Sequence, residues 1–156
     1  MGVTGCGKTT VGALLADACG WDFRDADDFH PDANIAKMKR GEPLTDEDRW
    51  PWLDRLNALI ADSERRTNNL VLACSALKQT YRDRLSRGCA TVRFVFLDGD
   101  REVIRARLAG RRGHYMNPTL LDSQFAILER PLDALRLDAV DSPTSLARSI
   151  RTRLEL

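Results

Sequence analysis

Residues 2–9 read Gly2-Val3-Thr4-Gly5-Cys6-Gly7-Lys8-Thr9 and match the complete phosphate-binding pattern G-x-x-x-x-G-K-[ST]. In such a loop the glycines turn backbone N–H groups inward around a β-phosphate. The lysine reaches the β- and γ-oxygens, and the threonine hydroxyl joins a Mg²⁺ shell. Apolar residues at helical spacing over residues 9–19 predict a helix whose positive end points at the anion. The stretch therefore predicts a bound nucleoside triphosphate.

A buried parallel strand normally leads into such a loop, and in this sequence only Met1 stands before it. Without about five buried apolar side chains, at roughly 1.5–3 kcal/mol each, a domain would lose as much as its usual total stability. We therefore expect the natural polypeptide to begin upstream of Met1, with the first strand missing from this chain.

Length and composition favour one domain over residues 1–156 that acts on a small molecule. The 24 Lys and Arg residues nearly balance the 23 Asp and Glu residues, which argues against a nucleic-acid partner or an anionic membrane surface. The four cysteines form no C-x-x-C pair, so a disulfide framework and a zinc site both fit poorly. No apolar run reaches transmembrane length. We expect a cytoplasmic protein without membrane contact.

Short apolar runs alternate with helical patterns along the chain, which predicts an α/β fold with a parallel sheet covered by helices on both faces. The predicted strands are residues 21–23, 70–74, 92–97 and 137–140. The predicted helices after the first are residues 51–66, with Pro51 at the start, and residues 76–87, 101–112, 120–128 and 145–154.

Two acidic residues follow the first predicted strand, at Asp25 and Asp27. The end of that strand should lie beside the phosphate loop, where ligands bind in open α/β folds. If the segment is extended, alternate positions send both carboxylates the same way. One acid then holds metal-bound water, and the other orients and deprotonates an attacking hydroxyl. The alternative is a solvated acidic turn.

A basic set ends the predicted helix 101–112 and suggests a lid. Arg107 and Arg111 stand four residues apart and share a helical face, so both would act on one triphosphate and neutralise the transferring group. Gly110 and Gly113 would serve as hinges. Arg105 and Arg112 are interpreted as part of a solvated face.

Five further stretches, taken in order, resemble bacterial-type gluconokinases. They are Asp25-Ala26-Asp27-x-x-His30-Pro31-x-x-Asn34-x-x-Lys37-Met38, Gly41-x-Pro43-Leu44-x-Asp46-x-Asp48-Arg49-x-Pro51-Trp52-Leu53, Cys74-Ser75-Ala76-Leu77-Lys78-x-x-Tyr81-Arg82-Asp83, Arg107 to Arg111-x-Gly113-His114, and the more generic Gln124-Phe125-x-x-Leu128-Glu129-x-Pro131. The resemblance implies a P-loop kinase fold like that of shikimate and nucleoside monophosphate kinases. Such a fold is three-layered α/β/α, with strand order 2-3-1-4-5 and a small helical lid at about residues 107–120. The missing strand would then be the central one.

The resemblance also implies an activity, ATP-dependent phosphorylation of D-gluconate at its 6-hydroxyl, with Mg²⁺ and a homodimer. The implied catalytic residues are Lys8, Asp27 and Arg111. The nucleotide would be held by Gly2, Gly5, Cys6, Gly7, Lys8, Thr9, Thr10, Arg107 and Arg111, and the metal by Thr9 and Asp25. Gluconate would be bound by Asp27, His30, Arg49, Lys78, Arg82 and His114.

Two other functions remain open at the level of sequence. One is a related P-loop kinase with a shikimate-like or nucleotide acceptor. The sequence of residues 30–53 disfavours this function, because that segment lacks the arginine arrangement expected for binding a nucleoside monophosphate. The other is a nucleotide-binding relative without catalysis.

Overall fold

A computed structural model describes residues 1–110 and 118–156, and over these residues helices alternate with short parallel strands. The strands are β1 (Asp22–Asp25), β2 (Leu70–Ala73), β3 (Val95–Asp98) and β4 (Leu135–Asp138). The helices are α1 (Lys8–Cys19), α2 (Asp32–Lys39), α3 (Asp46–Arg65), α4 (Gln79–Ser86), α5 (Arg101–Ala109), α6 (Pro118–Ile127) and α7 (Pro143–Leu154), with a 3₁₀ turn at Ala26–Phe29. The predicted α/β alternation is confirmed.

The strands form two parallel pairs, β1 with β2 and β3 with β4. Met1 and Gly2 lie between the ends of β2 and β3. The Met1 amino group donates to the Val95 carbonyl, and the Leu97 N–H donates to the Met1 carbonyl at 3.0 Å. On the other side, the Gly2 N–H donates to the Ser75 carbonyl at 3.1 Å. The phosphate loop therefore starts at the centre of the strand order, as the order 2-3-1-4-5 requires.

A cleft of about 390 Å³ lies between β2 and β3, below Met1, and we call it the β2–β3 cleft. Among the described residues no strand bridges these two edges. The walls are mostly apolar and include Val71, Val95, Leu15 and Ile150. The cleft lies where the sequence predicts the missing central strand, and that strand remains a prediction.

Two apolar clusters flank the strands and give the three layers. One holds α1, α5 and α7 against β3, with Val11, Leu97, Ile104 and Ile150 buried among its members. The other lies under α3 and α4 and includes Trp52, Leu53, Leu56, Tyr81 and Leu85. At roughly 1.5–3 kcal/mol for each fully buried large side chain, both clusters contribute substantially to the stability of the fold.

Helix α3 begins at Asp46, so the prediction of a start at Pro51 is wrong. Thr45 is the N-cap: its hydroxyl accepts from the Asp48 N–H at 3.2 Å, and the Asp48 carboxylate accepts from the Thr45 N–H at 2.9 Å. This reciprocal capping box satisfies two donors at the helix start. Pro51 consequently lies inside the helix. The early start matters because it places Asp46 and Arg49 on the first turn of α3.

Helix α5 ends at Ala109 with Gly110 as C-cap, three residues before the predicted end. Only the outer parts of the predicted lid at 107–120 fall within the described residues. No described helix is long and apolar enough to span a membrane.

Candidate active site

The phosphate loop is shaped by backbone conformations that favour glycine. Gly7 is the N-cap of α1 with φ 100°, and Gly2 has φ 141° with its Cα close enough to β3 that a Cβ would lie 2.7 Å from the Leu97 carbonyl oxygen. Helix α1 has no side-chain cap and no acidic residue in its first turn. Its N-terminal N–H groups are therefore available to an anion, which the helix dipole also favours.

Lys8 and Thr9, at the start of α1, contact different parts of the chain. The Lys8 ammonium donates to the Val3 carbonyl at 3.0 Å and so lies across the loop. The Thr9 hydroxyl donates to a carboxylate oxygen of Asp25 at 2.7 Å. The structure thus brings together the two residues predicted to hold the metal.

Thr9 and Asp25 would not form a metal site by themselves. Within the described residues, no three His, Cys, Asp or Glu side chains converge as a ligand set. Mg²⁺ commonly takes one or two protein ligands and completes its octahedron with phosphate oxygens and water. A hydroxyl and a carboxylate beside a phosphate loop fit that pattern.

Asp27 lies in the 3₁₀ turn after β1, so the condition of an extended segment, under which both carboxylates would point the same way, is not met. Asp25 instead caps the turn, because its carboxylate accepts from the Asp27 N–H at 3.1 Å. The Trp52 indole donates to the Ala26 carbonyl at 2.8 Å and ties the turn to α3. The turn still keeps both carboxylates at the edge of the sheet that carries the phosphate loop.

The Asp27 carboxyl is both accessible and close to another negative charge. Displacement of water by the surrounding protein, and secondly the neighbouring Asp25 carboxylate, raise the pKa of Asp27 above its usual range. The side chain is nevertheless 81% exposed, so an incoming hydroxyl can reach it. A raised pKa strengthens a carboxylate as a proton acceptor.

His30 lies beside Asp27 and is held as a neutral ring. It stacks on Trp52 with ring centroids 4.2 Å apart, and its Nδ1 lies 3.4 Å from the Asn34 amide nitrogen. Burial, and secondly the Arg49 charge, lower the pKa of His30 to about 4. Because the amide nitrogen is a donor, Nδ1 accepts and the ring proton is on Nε2. That Nε2 lies 4.0 Å from a carboxylate oxygen of Asp27.

A charged cluster joins α3 to the start of α4, and we call it the Asp46 cluster: Asp46, Arg49, Lys78 and Tyr81. Lys78 donates to both Asp46 oxygens, at 2.8 and 2.9 Å, and the Tyr81 hydroxyl donates to the same carboxylate. Arg49 lies 3.9 Å from it. Both cations also lie 5.5 Å from the centre of the Tyr81 ring.

The sequence reasoning named Arg49 and Lys78 but gave no role to Asp46 or Tyr81. The sequence could have indicated them, since Asp46 and Tyr81 both lie in the stretches that resemble gluconokinases.

Arg82 is placed differently from the other predicted gluconate residues. Only 2% of its surface is exposed. Its guanidinium donates to the Ala76 and Leu77 carbonyls at 3.0 and 3.1 Å and to the Gln79 side chain at 2.8 Å. These bonds hold the turn between β2 and α4, so the geometry favours a positioning role over direct contact with a substrate.

The predicted lid residues are only partly within the described structure. The Arg107 guanidinium donates to the carbonyls of Ala139 and Val140, after β4. Arg111 and His114 lie outside the described residues. A contact that the sequence did not suggest comes from α6, where the Gln124 side chain accepts from the Thr4 N–H at 2.7 Å.

A phosphate loop at the centre of a parallel α/β sheet, with exposed carboxylates beside it, is typical of a P-loop kinase that phosphorylates a small hydroxyl acceptor. The shikimate kinase family model matches residues 4–133 of this chain.

Comparison with individual proteins identifies the group of P-loop kinases more closely. The chain is 48% identical to a probable gluconokinase of Rattus norvegicus, over 84% of this chain and 80% of the relative. It is 47% identical to the thermosensitive gluconokinase of Escherichia coli K12, over 88% and 76% of the two chains. A solved gluconokinase from Sinorhizobium meliloti superimposes with a TM-score of 0.88 at 39% identity, covering 99% of this chain and 90% of that one. The chain belongs to the shikimate kinase family and, within it, to the gluconokinases, and the resemblance seen in the sequence is confirmed.

Proposed function

We propose that the protein transfers the γ-phosphoryl group of ATP to the 6-hydroxyl of D-gluconate. The observation that carries this proposal is the Asp46 cluster. It holds the cations Arg49 and Lys78 around one carboxylate. His30 lies within range of the Arg49 charge, and its Nε2 lies 4.0 Å from a carboxylate oxygen of Asp27. A linear sugar acid needs cations and a base at separate places, because its carboxylate and its reacting hydroxyl lie at opposite ends. The gluconokinase relatives support the same acceptor.

In the proposed mechanism gluconate binds with its carboxylate at Arg49 and Lys78 and its 6-hydroxyl at Asp27. Asp27 accepts the hydroxyl proton as the bond from O6 to the γ-phosphorus forms and the bond from that phosphorus to the β,γ-bridging oxygen breaks. ADP leaves with the bridging oxygen. Lys8 and the N-terminal N–H groups of α1 stabilise negative charge on the phosphates.

Several residues assist the reaction without receiving the proton. His30, neutral and with its proton on Nε2, would donate to a substrate hydroxyl next to Asp27. Thr9 and Asp25 would hold Mg²⁺, whose charge would offset that of the phosphates. Arg107, Arg111 and His114 are proposed to act from the lid side.

A coupled ADP-release assay tests the acceptor. We expect D-gluconate to be turned over at least about 100-fold more efficiently than shikimate or AMP, since a site built for a linear polyol leaves polar groups unpaired with other acceptors. Turnover of shikimate or AMP without turnover of gluconate would refute the proposal.

Exchange of the base tests the mechanism. Asp27→Asn should lower kcat by about 10²–10⁴-fold with little change in the KM for ATP, because proton transfer is lost and the phosphate loop is untouched. Asp28→Asn is the matched control, since Asp28 is the next residue and is also exposed. A near-normal kcat for Asp27→Asn would remove Asp27 from the role of base.

The resemblance also supports a homodimer that works in the cytoplasm. All four cysteines are free thiols, which suits a reducing compartment. Light scattering coupled to size exclusion tests the dimer: a mass near the monomer's 17.5 kDa at micromolar concentration would contradict it.

A further inference from the structure

The Asp46 cluster contains two cations but only one unit of net positive charge. Asp46 sits between Lys78, which contacts both of its oxygens, and Arg49 at 3.9 Å. The hydrogen bonds from Lys78 and from Tyr81 lower the pKa of Asp46 below its usual range. The carboxylate is therefore ionised at neutral pH.

Two titratable groups near the cluster, His30 and Asp48, leave this count unchanged. His30 is neutral at pH 7, because its pKa is lowered to about 4. Asp48, on the same turn of α3, is paired with Lys37 at 2.7 Å. The net charge of the cluster is therefore the sum of two positive charges, from Arg49 and Lys78, and one negative charge, from Asp46.

We propose that Asp46 determines the charge selectivity of the acceptor site: by cancelling one of two cations it fits the site to an acceptor that carries a single negative charge at the end remote from the reacting hydroxyl. This inference rests on the proposed gluconate kinase function and extends it to the residue that rejects dianions. A phosphate group in place of the substrate carboxylate would bring a second negative charge against the Asp46 carboxylate, and the four residues of the cluster include no third cation to balance it.

The inference predicts a switch in preference when Asp46 loses its charge. The two acceptors to compare are D-gluconate and D-glucitol 1-phosphate, a linear six-carbon polyol with a free 6-hydroxyl and a phosphate in place of the carboxylate. For Asp46→Asn, the ratio of kcat/KM for gluconate to kcat/KM for the phosphate should fall about tenfold or more, since the cluster gains one full positive charge. Most of the change should appear in KM, because the reacting hydroxyl is at the other end of the acceptor.

Glu47→Gln is the matched control for the helix dipole. Glu47 follows Asp46 in the first turn of α3 and is exposed. Its exchange removes the same charge from the same helix end without touching Lys78, so the ratio should stay within about twofold of the wild-type value.

A second exchange separates charge from geometry. In Asp46→Asn/Lys78→Met the net charge returns to that of the wild type, and the ratio should return toward the wild-type value. Lys78→Met alone leaves the cluster without net charge and should shift the ratio the opposite way, against the phosphate. The comparison of the double variant with Lys78→Met isolates the Asp46 charge, because the two proteins differ only at position 46, and it carries the test even where Asp46→Asn alone does not fold.

A structural role for Asp46 gives a different result. If Asp46 only holds α3 to α4, Asp46→Asn lowers kcat/KM for both acceptors by the same factor and leaves the ratio unchanged, with Lys78 or Met at position 78, which would overturn the inference. Failure of the proposed function is seen separately, as wild-type protein that does not phosphorylate gluconate.

Discussion

Protonation of His30 should destabilise the folded protein. The side chain is 4% exposed, stacked on Trp52, and within range of the Arg49 charge. A buried imidazolium beside a cation is unfavourable, so acid should act against the fold through this residue. The exchange His30→Gln removes the titrating group.

The size of the effect follows from the two pKa values. His30 has a pKa of about 4 in the folded chain, against 6.5 for the model side chain. Between these two pH values the unfolded chain binds more protons at His30 than the folded chain does. The stability that neutral His30 contributes is therefore fully present above pH 6.5 and is lost as the pH falls toward 4. About 2.5 pKa units at ~1.4 kcal/mol each amount to a loss of about 3 kcal/mol.

Urea unfolding, followed by circular dichroism at pH 7 and pH 4.5, measures this loss. The free energy of unfolding of the wild type should fall by about 2–3 kcal/mol more than that of His30→Gln. Arg49→Gln should give an intermediate fall, because the cation is removed and the burial remains. Equal pH dependence in the wild type and His30→Gln would refute the reasoning.

Three further predictions concern the loop, Arg82 and the β2–β3 cleft. Lys8→Met should lower kcat/KM at least about 100-fold while the circular dichroism spectrum is unchanged, and unaltered kinetics would contradict the phosphate role. Arg82→Met should cost about 2–4 kcal/mol of unfolding free energy, because buried carbonyls lose their donors, whereas a direct substrate role would instead raise the KM for gluconate at unchanged stability. A segment of five Val and Ile residues joined before Met1 should raise Tm by about 5 °C or more by filling the cleft, and a matched Ser and Asn segment should not; equal Tm values would count against a strand there.

The parts predicted well from sequence are those whose physics is local. The loop over residues 2–9 needs glycine at fixed positions and a lysine and a hydroxyl at its end, so its pattern can be read directly. Helix α1 follows from the apolar spacing behind it. The acidic edge at Asp25 and Asp27 also came from sequence order, because the end of a parallel strand beside the loop must lie at the ligand edge.

The sequence was a poorer guide where a residue's partners are set by tertiary packing or where two local signals compete. Pro51 reads as a helix start, but the capping box of Thr45 and Asp48 starts α3 earlier, and that pairing depends on side-chain geometry. Arg82 reads as a free cation in a substrate motif, yet its guanidinium is buried on backbone carbonyls.

The sequence alone determined the chemistry of the donor half of the site: residues 2–9 carry the groups that hold a triphosphate, whatever the rest of the chain does. Only the tertiary structure decided the acceptor half. Asp46 and Lys78 are 32 residues apart, and they meet because α3 and α4 bury a shared apolar face that includes Leu53 and Leu85. The packing of that face brings the Asp46 carboxylate against the Lys78 ammonium. The local sequence around either residue does not indicate this pairing, because the partner is 32 residues away.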